Sequence, residues 1–126
     1  MKITRSAISL NVDDVEGSAR FALEHLGFVQ EMADDGFVSL TRDDAGFNLI
    51  FLRTGLGTFK PQRIAGSAGM GTLIVFVVED IDAQYERLMA EGAKIVTPIE
   101  TEPWGERFFQ MEDPSGIVYQ LVQWIG

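Results

Sequence analysis

Few residues of this chain can do chemistry. His25 is the single imidazole in 126 residues, and there is no cysteine. That composition excludes disulfides, thiolate metal sites and cysteine nucleophiles together. No Ser–His–Asp constellation, phosphate-binding loop or nucleotide fingerprint is present, and no cofactor is expected. General acid–base catalysis needs paired carboxylates, and Glu106 and Glu112 fall at loop and strand ends without an evident partner. Recognition chemistry remains. Trp104 and Phe108 are candidates to stack on a planar molecule, Phe59 to close over it, and Arg107 or Glu106 to set its charge.

Positioning these residues falls to one supersecondary unit used twice. Residues 5–16 and 71–82 share a plan at an offset of 66, with Val12 against Val78 and Asp14 against Asp80. In the first copy Ile8, Leu10 and Val12 alternate with Ala7, Ser9 and Asn11, the period of a half-buried strand. Asp13 is a candidate N-cap, with Glu16 at capping-box spacing. Val15, Ala19, Ala22, Leu23 and Leu26 then share one helical face. Gly17 weakens that helix by up to about 1 kcal/mol against alanine, and Gly27 ends it in the left-handed position. Residues 28–33, 37–41 and 47–53 read as three strands, with turns at Asp34-Asp-Gly36 and Asp43-Asp-Ala-Gly46.

The second copy repeats this order. Ile74, Phe76 and Val78 face the helix layer, leaving Leu73, Val75 and Val77 on the other side. Asp80 caps, Ile81, Tyr85, Leu88 and Met89 form the apolar face, and Gly92 stops the helix. Strands are expected over 94–97, 107–112 and 117–124, with Asp113-Pro-Ser-Gly116 as the turn matching Asp43 to Gly46. Pro98 and Pro103 confine residues 98–105 to a loop or a strand edge. The result is a single α+β domain in which two tandem βαβββ modules, 1–53 and 72–126, form curved antiparallel sheets around a cleft, with helices on the outer face. The connection 54–71, with five glycines and one proline, is either a lip of the pocket through Phe59 or Arg63 or a linker without a ligand role.

Composition bounds the rest. With 46% hydrophobic residues the chain is globular, and its net charge of −9 lacks the basic footprint that nucleic acid requires. The longest apolar run, 73–78, is too short to span a bilayer, so no membrane partner is expected. Met1 to Arg5 lack the apolar region of a signal peptide, and the absence of cysteine suits the cytoplasm, the expected location.

The pattern resembles the vicinal oxygen chelate superfamily, which includes glyoxalase I, extradiol dioxygenases and bleomycin-resistance proteins. The resemblance is carried by Leu10-Asn-Val-Asp-Asp-Val15, by Phe21 with Leu26-Gly-Phe28, by Phe76-Val-Val-Glu-Asp-Ile81, by Pro103-Trp-Gly-Glu-Arg107 and by Asp113-Pro-Ser-Gly116. It implies sheets wrapped around a cleft, and a homodimer in which that cleft is shared between chains. Enzymes of the superfamily hold a divalent metal through four side chains. The matching positions here read Ala7, Ile50, Leu73 and Gln120. Three of these four have no lone pair to give a metal, and one amide is insufficient, so no metal is expected.

The resemblance then points to the metal-free, bleomycin-resistance-like branch. The expected function is a metal-independent binding protein that sequesters an aromatic or cationic small organic ligand, such as an antibiotic. The alternative is a lyase, isomerase or dioxygenase-type enzyme of the same superfamily with an atypical or metal-free site. Expected ligand-binding residues are Ser9, Asn11, Ile50, Phe59, Leu73, Val75, Trp104, Arg107, Phe108, Gln110 and Gln120. A one-residue slip in the strand of Phe108 would instead bring Arg107 and Phe109 to the cleft.

Overall fold

The computed structural model describes residues 1–68 and 71–125. Gly69 and Met70 of the expected connection, and Gly126, lie outside the described residues. The chain divides into two compact units, Met1–Gly69 and Met70–Gly126.

The first unit runs β1 (Ala7–Val12), α1 (Val15–His25), β2 (Val29–Asp34), β3 (Phe37–Thr41) and β4 (Asn48–Arg53). The second runs β5 (Leu73–Val77), α2 (Ile81–Ala90), β6 (Ile95–Thr101), β7 (Glu106–Glu112) and β8 (Val118–Trp124). The sheet orders are β1-β4-β3-β2 and β5-β8-β7-β6. The two tandem βαβββ modules are as expected, and each sheet is mixed: β1 runs parallel to β4 and β5 to β8, while the other neighbours are antiparallel. The reason is the helix. A helical crossover brings the chain back to the end where it started, so β2 has the direction of β1. The meander β2-β3-β4 then reverses twice and lays β4 parallel beside β1.

Each helix covers one side of its own sheet, α1 on β3 and β4, α2 on β6, β7 and β8. Leu10, Val12, Val38, Leu40, Leu49 and Phe51 are buried in the first unit, and Ile74, Leu88, Phe109, Met111, Tyr119 and Leu121 in the second. Each such side chain contributes about 1.5–3 kcal/mol by leaving water. The face of α1 is rotated from the expected one: Ser18 and Phe21 join Ala19 and Ala22 in the buried set, while Leu23 is exposed. One residue is about 100° of helical turn, which carries Leu23 past the contact that Ala22 makes.

The cap of α1 is Asp14, one residue later than expected, and its Oδ1 accepts the Gly17 N–H at 2.9 Å. This explains Gly17. A Cβ there would lie 2.2 Å from Asp14 Oδ2, so alanine would push the cap aside. The propensity gain of about 1 kcal/mol and the loss of a cap worth about 1 kcal/mol nearly cancel. Gly17→Ala is therefore expected to leave stability within about 0.5 kcal/mol. Asp14→Ala should cost about 1 kcal/mol in the native chain and almost nothing in the Gly17→Ala background. Urea denaturation of the four proteins checks this, and additive costs would refute it.

At α2, Asp80 occupies the cap position and its carbonyl accepts the Gln84 N–H at 3.1 Å, but its side chain does not cap the helix backbone; the carboxylate accepts from the Gln84 amide. The capping comes instead from β8, where Gln123 Oε1 accepts the Ile81 N–H at 3.2 Å and Gln123 Nε2 donates to the Glu79 carbonyl. Strand β6 continues through Pro98 to Thr101. That is tolerated because β6 is the sheet edge, and its register shifts between Thr97 and Glu100.

The two turns with matching sequence differ. Asp113 Oδ1 accepts the N–H groups of Ser115 at 2.8 Å and Ile117 at 2.9 Å, and Gly116 has φ +84°. Gly46 has no positive φ, and the nearby Asp44 is held instead by Arg42.

The connection after β4 folds back onto β1. Asn11 Nδ2 donates to the carbonyls of Ile64 at 2.6 Å and Gly66 at 2.8 Å, Gly55 N–H donates to Ala65 at 2.8 Å, and Gln62–Ile64 form one 3-10 turn. The described part of this segment, 54–68, is thus tied to the first module.

Candidate functional site

On the side of each sheet away from the helix, called the open side below, strand alternation decides what is shown, from the exposed Val75 to the buried Val122. On β5, Ile74 is buried against the helix side, whereas Leu73, Val75 and Val77 are 45%, 43% and 66% exposed. Across the second sheet the Cα partners of Val75 are Gln120, then Gln110, then Thr97. These side chains form one hydrogen-bonded chain. Thr97 Oγ1 donates to Gln110 Oε1 at 2.7 Å, Gln110 Nε2 to Gln120 Oε1 at 2.8 Å, and Gln120 Nε2 to Glu106 Oε1 at 3.1 Å. Trp104 Nε1 closes the chain by donating to Glu106 Oε2 at 2.9 Å. Because Gln120 is only 8% exposed, its amide needs these partners: an unsatisfied buried polar group costs about 1–3 kcal/mol.

The aromatic candidates separate. Trp104 is 63% exposed. Phe108 lies on the open face opposite Val122 but is 9% exposed, a wall and not a free ring. Phe109 faces the helix, edge-on to Tyr85 with ring centroids 4.9 Å apart. The register is therefore the one that puts Phe108 and Gln110 on the open side. Arg107 is turned to the helix side, where it donates to Asp82 at 2.6 and 3.1 Å and to Thr101 at 2.8 Å. The hydrogen bond from Arg107 holds the Asp82 carboxyl below its usual range, and Arg107 is correspondingly pushed up.

In the first module the corresponding row reads Ser9, Ile50, Ser39. Ser39 Oγ donates to Glu31 Oε1 at 3.4 Å, and Arg5 pairs with the other Glu31 oxygen. Asn11 is spent on the Ile64 and Gly66 carbonyls, and Phe59 is half-buried in the segment it helps to hold. A hollow of about 560 Å³ lies elsewhere in this module, between the start of α1 and the β2–β3 hairpin, walled by Asp14, Glu16, Arg20, Asp34 and Arg53; none of the expected ligand-binding residues lines it. His25 is a half-buried helix residue, edge-on to Phe21 at 4.9 Å.

A profile of the Glyoxalase/Bleomycin resistance protein/Dioxygenase superfamily matches residues 4–121. The chain belongs to that superfamily. A glyoxalase/bleomycin resistance protein/dioxygenase from Nocardioides superposes with a TM-score of 0.81 at 24% identity, covering 99% of this chain and 85% of that one. TioX from Micromonospora sp. ML1 gives 0.75 at 21% identity over 98% of this chain and 100% of that one. Lactoylglutathione lyase from Agrobacterium tumefaciens gives 0.74 at 16% identity over 97% and 94%. At these identities the likeness shows the fold alone. Uncharacterised proteins of Mycobacterium bovis and Mycobacterium tuberculosis are 36% identical over 89 residues, 71% of this chain. The match covers 53% and 48% of their lengths, so the chain spans about half the length of these curated relatives.

Tested against the metal that enzymes of this superfamily hold, the donor set does not fit. Ile50 offers hydrocarbon between Ser9 and Ser39, and Leu73 offers hydrocarbon on the edge strand β5. Gln120 has both ends of its amide engaged, by Gln110 and Glu106. Among the described residues no group of three or more His, Cys, Asp or Glu side chains could hold a metal ion. No catalytic step is derived through one.

Three residues of these faces were not legible as candidates: Thr97, Ser39 and Glu31. Thr97 sits across the ladder from Gln110 and Ser39 from Ile50, both of them candidates, whereas Glu31 lies at the bulge beside Ser39 and faces none. Only the strand register reveals that adjacency.

Proposed function

We propose that the protein is a metal-independent small-molecule binding protein that captures an aromatic or cationic organic compound, such as an antibiotic, without turning it over. One observation carries this reading. At the position where an enzyme of the superfamily would supply a metal donor, Gln120 belongs to a closed hydrogen-bonded chain from Thr97 to Trp104, set beside the exposed aliphatic row of β5. Apolar wall with a few oriented polar groups is the composition of small-molecule sites. The net charge of −9 favours a cationic ligand over nucleic acid. The binder is proposed to act as a homodimer, which sedimentation analysis tests.

The experiment is a thermal-shift screen of the metal-stripped protein against bleomycin, mitomycin and other planar compounds. A ligand at about 100 times its Kd adds about 2.7 kcal/mol to native-state stability. The expected result is a hit that is recovered chemically unchanged, with affinity indifferent to added divalent cations. Turnover of the compound, or binding that requires a metal, would overturn the proposal in favour of the enzyme alternative.

A further inference from the structure

We propose that the Glu106 carboxylate is the anchor for a protonated amine, so that the open face of the second module takes organic ammonium compounds carried on a planar apolar body. This rests on the binding-protein reading and names its ligand class. Glu106 is half-buried and accepts two hydrogen bonds, both from neutral donors: Gln120 Nε2 at 3.1 Å and the Trp104 indole at 2.9 Å. A carboxylate offers about four lone-pair sites, so acceptor capacity is left over. The two donors hold the group in place while leaving its charge uncompensated.

Two other glutamates provide a contrast. On the open face of the first module Glu31 is paired with Arg5, and in the second module Glu112 is paired with Lys94 at 3.0 Å. Arg107, the next residue to Glu106, is drawn to the opposite side of the sheet by Asp82. Glu106 has no lysine or arginine partner among the described residues.

The hydrogen bonds also run in one direction. Thr97, Gln110 and Gln120 each donate toward Glu106, so polarisation along the chain accumulates on the carboxylate. Trp104, exposed and bonded to this carboxylate through its N–H edge, adds an indole ring, a group that attracts both cations and flat rings. Val75, the Cα partner of Gln120, and Leu73 supply exposed apolar floor.

The test uses a matched pair, 9-aminoacridine, protonated at neutral pH, and acridine, neutral there, titrated calorimetrically into the intact chain. The native protein is expected to bind 9-aminoacridine at least about tenfold more tightly. Glu106→Gln should abolish that preference while leaving acridine affinity within about twofold, which also shows that the variant is folded. Glu86→Gln, which removes the same charge from the exposed side of α2, should leave the preference intact. Equal binding of the two compounds by the native protein, a preference that survives Glu106→Gln, or one lost equally in Glu86→Gln would each overturn the anchor. In those cases retained acridine binding keeps the binding-protein reading standing. If neither compound binds, the anchor and the planar-ligand reading fall together.

Discussion

Phe109→Ala is expected to lower stability by about 3–5 kcal/mol, the cost of truncating a fully buried phenylalanine. Phe109 is 0% exposed, pairs with Leu121 across β7 and β8, and meets the Tyr85 ring of α2 edge-on. The loss has two parts: the transfer energy of the ring, and a cavity that the rigid β7–β8 ladder cannot collapse to fill. The edge contact with Tyr85 adds about 0.5–1.5 kcal/mol. A domain of this size holds about 5–15 kcal/mol in all, so the variant should unfold at a much lower urea midpoint with an unchanged slope. Trp104→Ala, at a residue 63% exposed, should change the midpoint little. A small effect at Phe109 would mean that the register of β7 is the other one.

Asp113→Ala is expected to cost about 2–4 kcal/mol, more than a surface turn residue normally would. Asp113 is 3% exposed, and its carboxylate accepts the N–H groups of Ser115 and Ile117. Alanine would strand both donors inside the turn that joins β7 to β8, at about 1–3 kcal/mol each before relaxation. Asp44, exposed in the corresponding turn of the first module and held by Arg42, is the internal comparison: Asp44→Ala should cost far less than Asp113→Ala, because an exposed pair is screened by water. Equal effects at the two sites would refute the difference between the turns. A second readout comes from Tyr119, whose phenol is pushed up strongly by burial and then by the Asp113 charge. A raised folded-state value means stability that is whole below the ordinary tyrosine range, about pH 10, and is lost as pH rises above it. Removing Asp113 should therefore lower the pH at which Tyr119 ionises, followed by its ultraviolet absorbance.

Local and periodic information was strong enough to read the fold. Period two on Ile8, Leu10 and Val12, period 3.6 on the helices, and stops at Gly27 and Gly92 are written into neighbouring residues, and the same order occurs twice. Where that reading missed, a particular side-chain contact had intervened, local in one helix and distant in the other. Asp14 displaced Asp13 as cap because Gly17 opened room for its carboxylate. Gln123, some forty residues downstream, took over the capping of α2.

By itself, then, the amino-acid order determined two βαβββ modules, the hydrocarbon at three of the four metal-donor positions, and the family to which the chain belongs. Only the tertiary structure decided that Arg107 turns to Asp82, that Asn11 holds a loop, and that Thr97, Gln110, Gln120, Glu106 and Trp104 join in one chain. The physical reason is register. Alternation along a strand fixes which residues share a face once the frame is known, but the frame, and the partner across the ladder, are set by hydrogen bonds to strands distant in sequence.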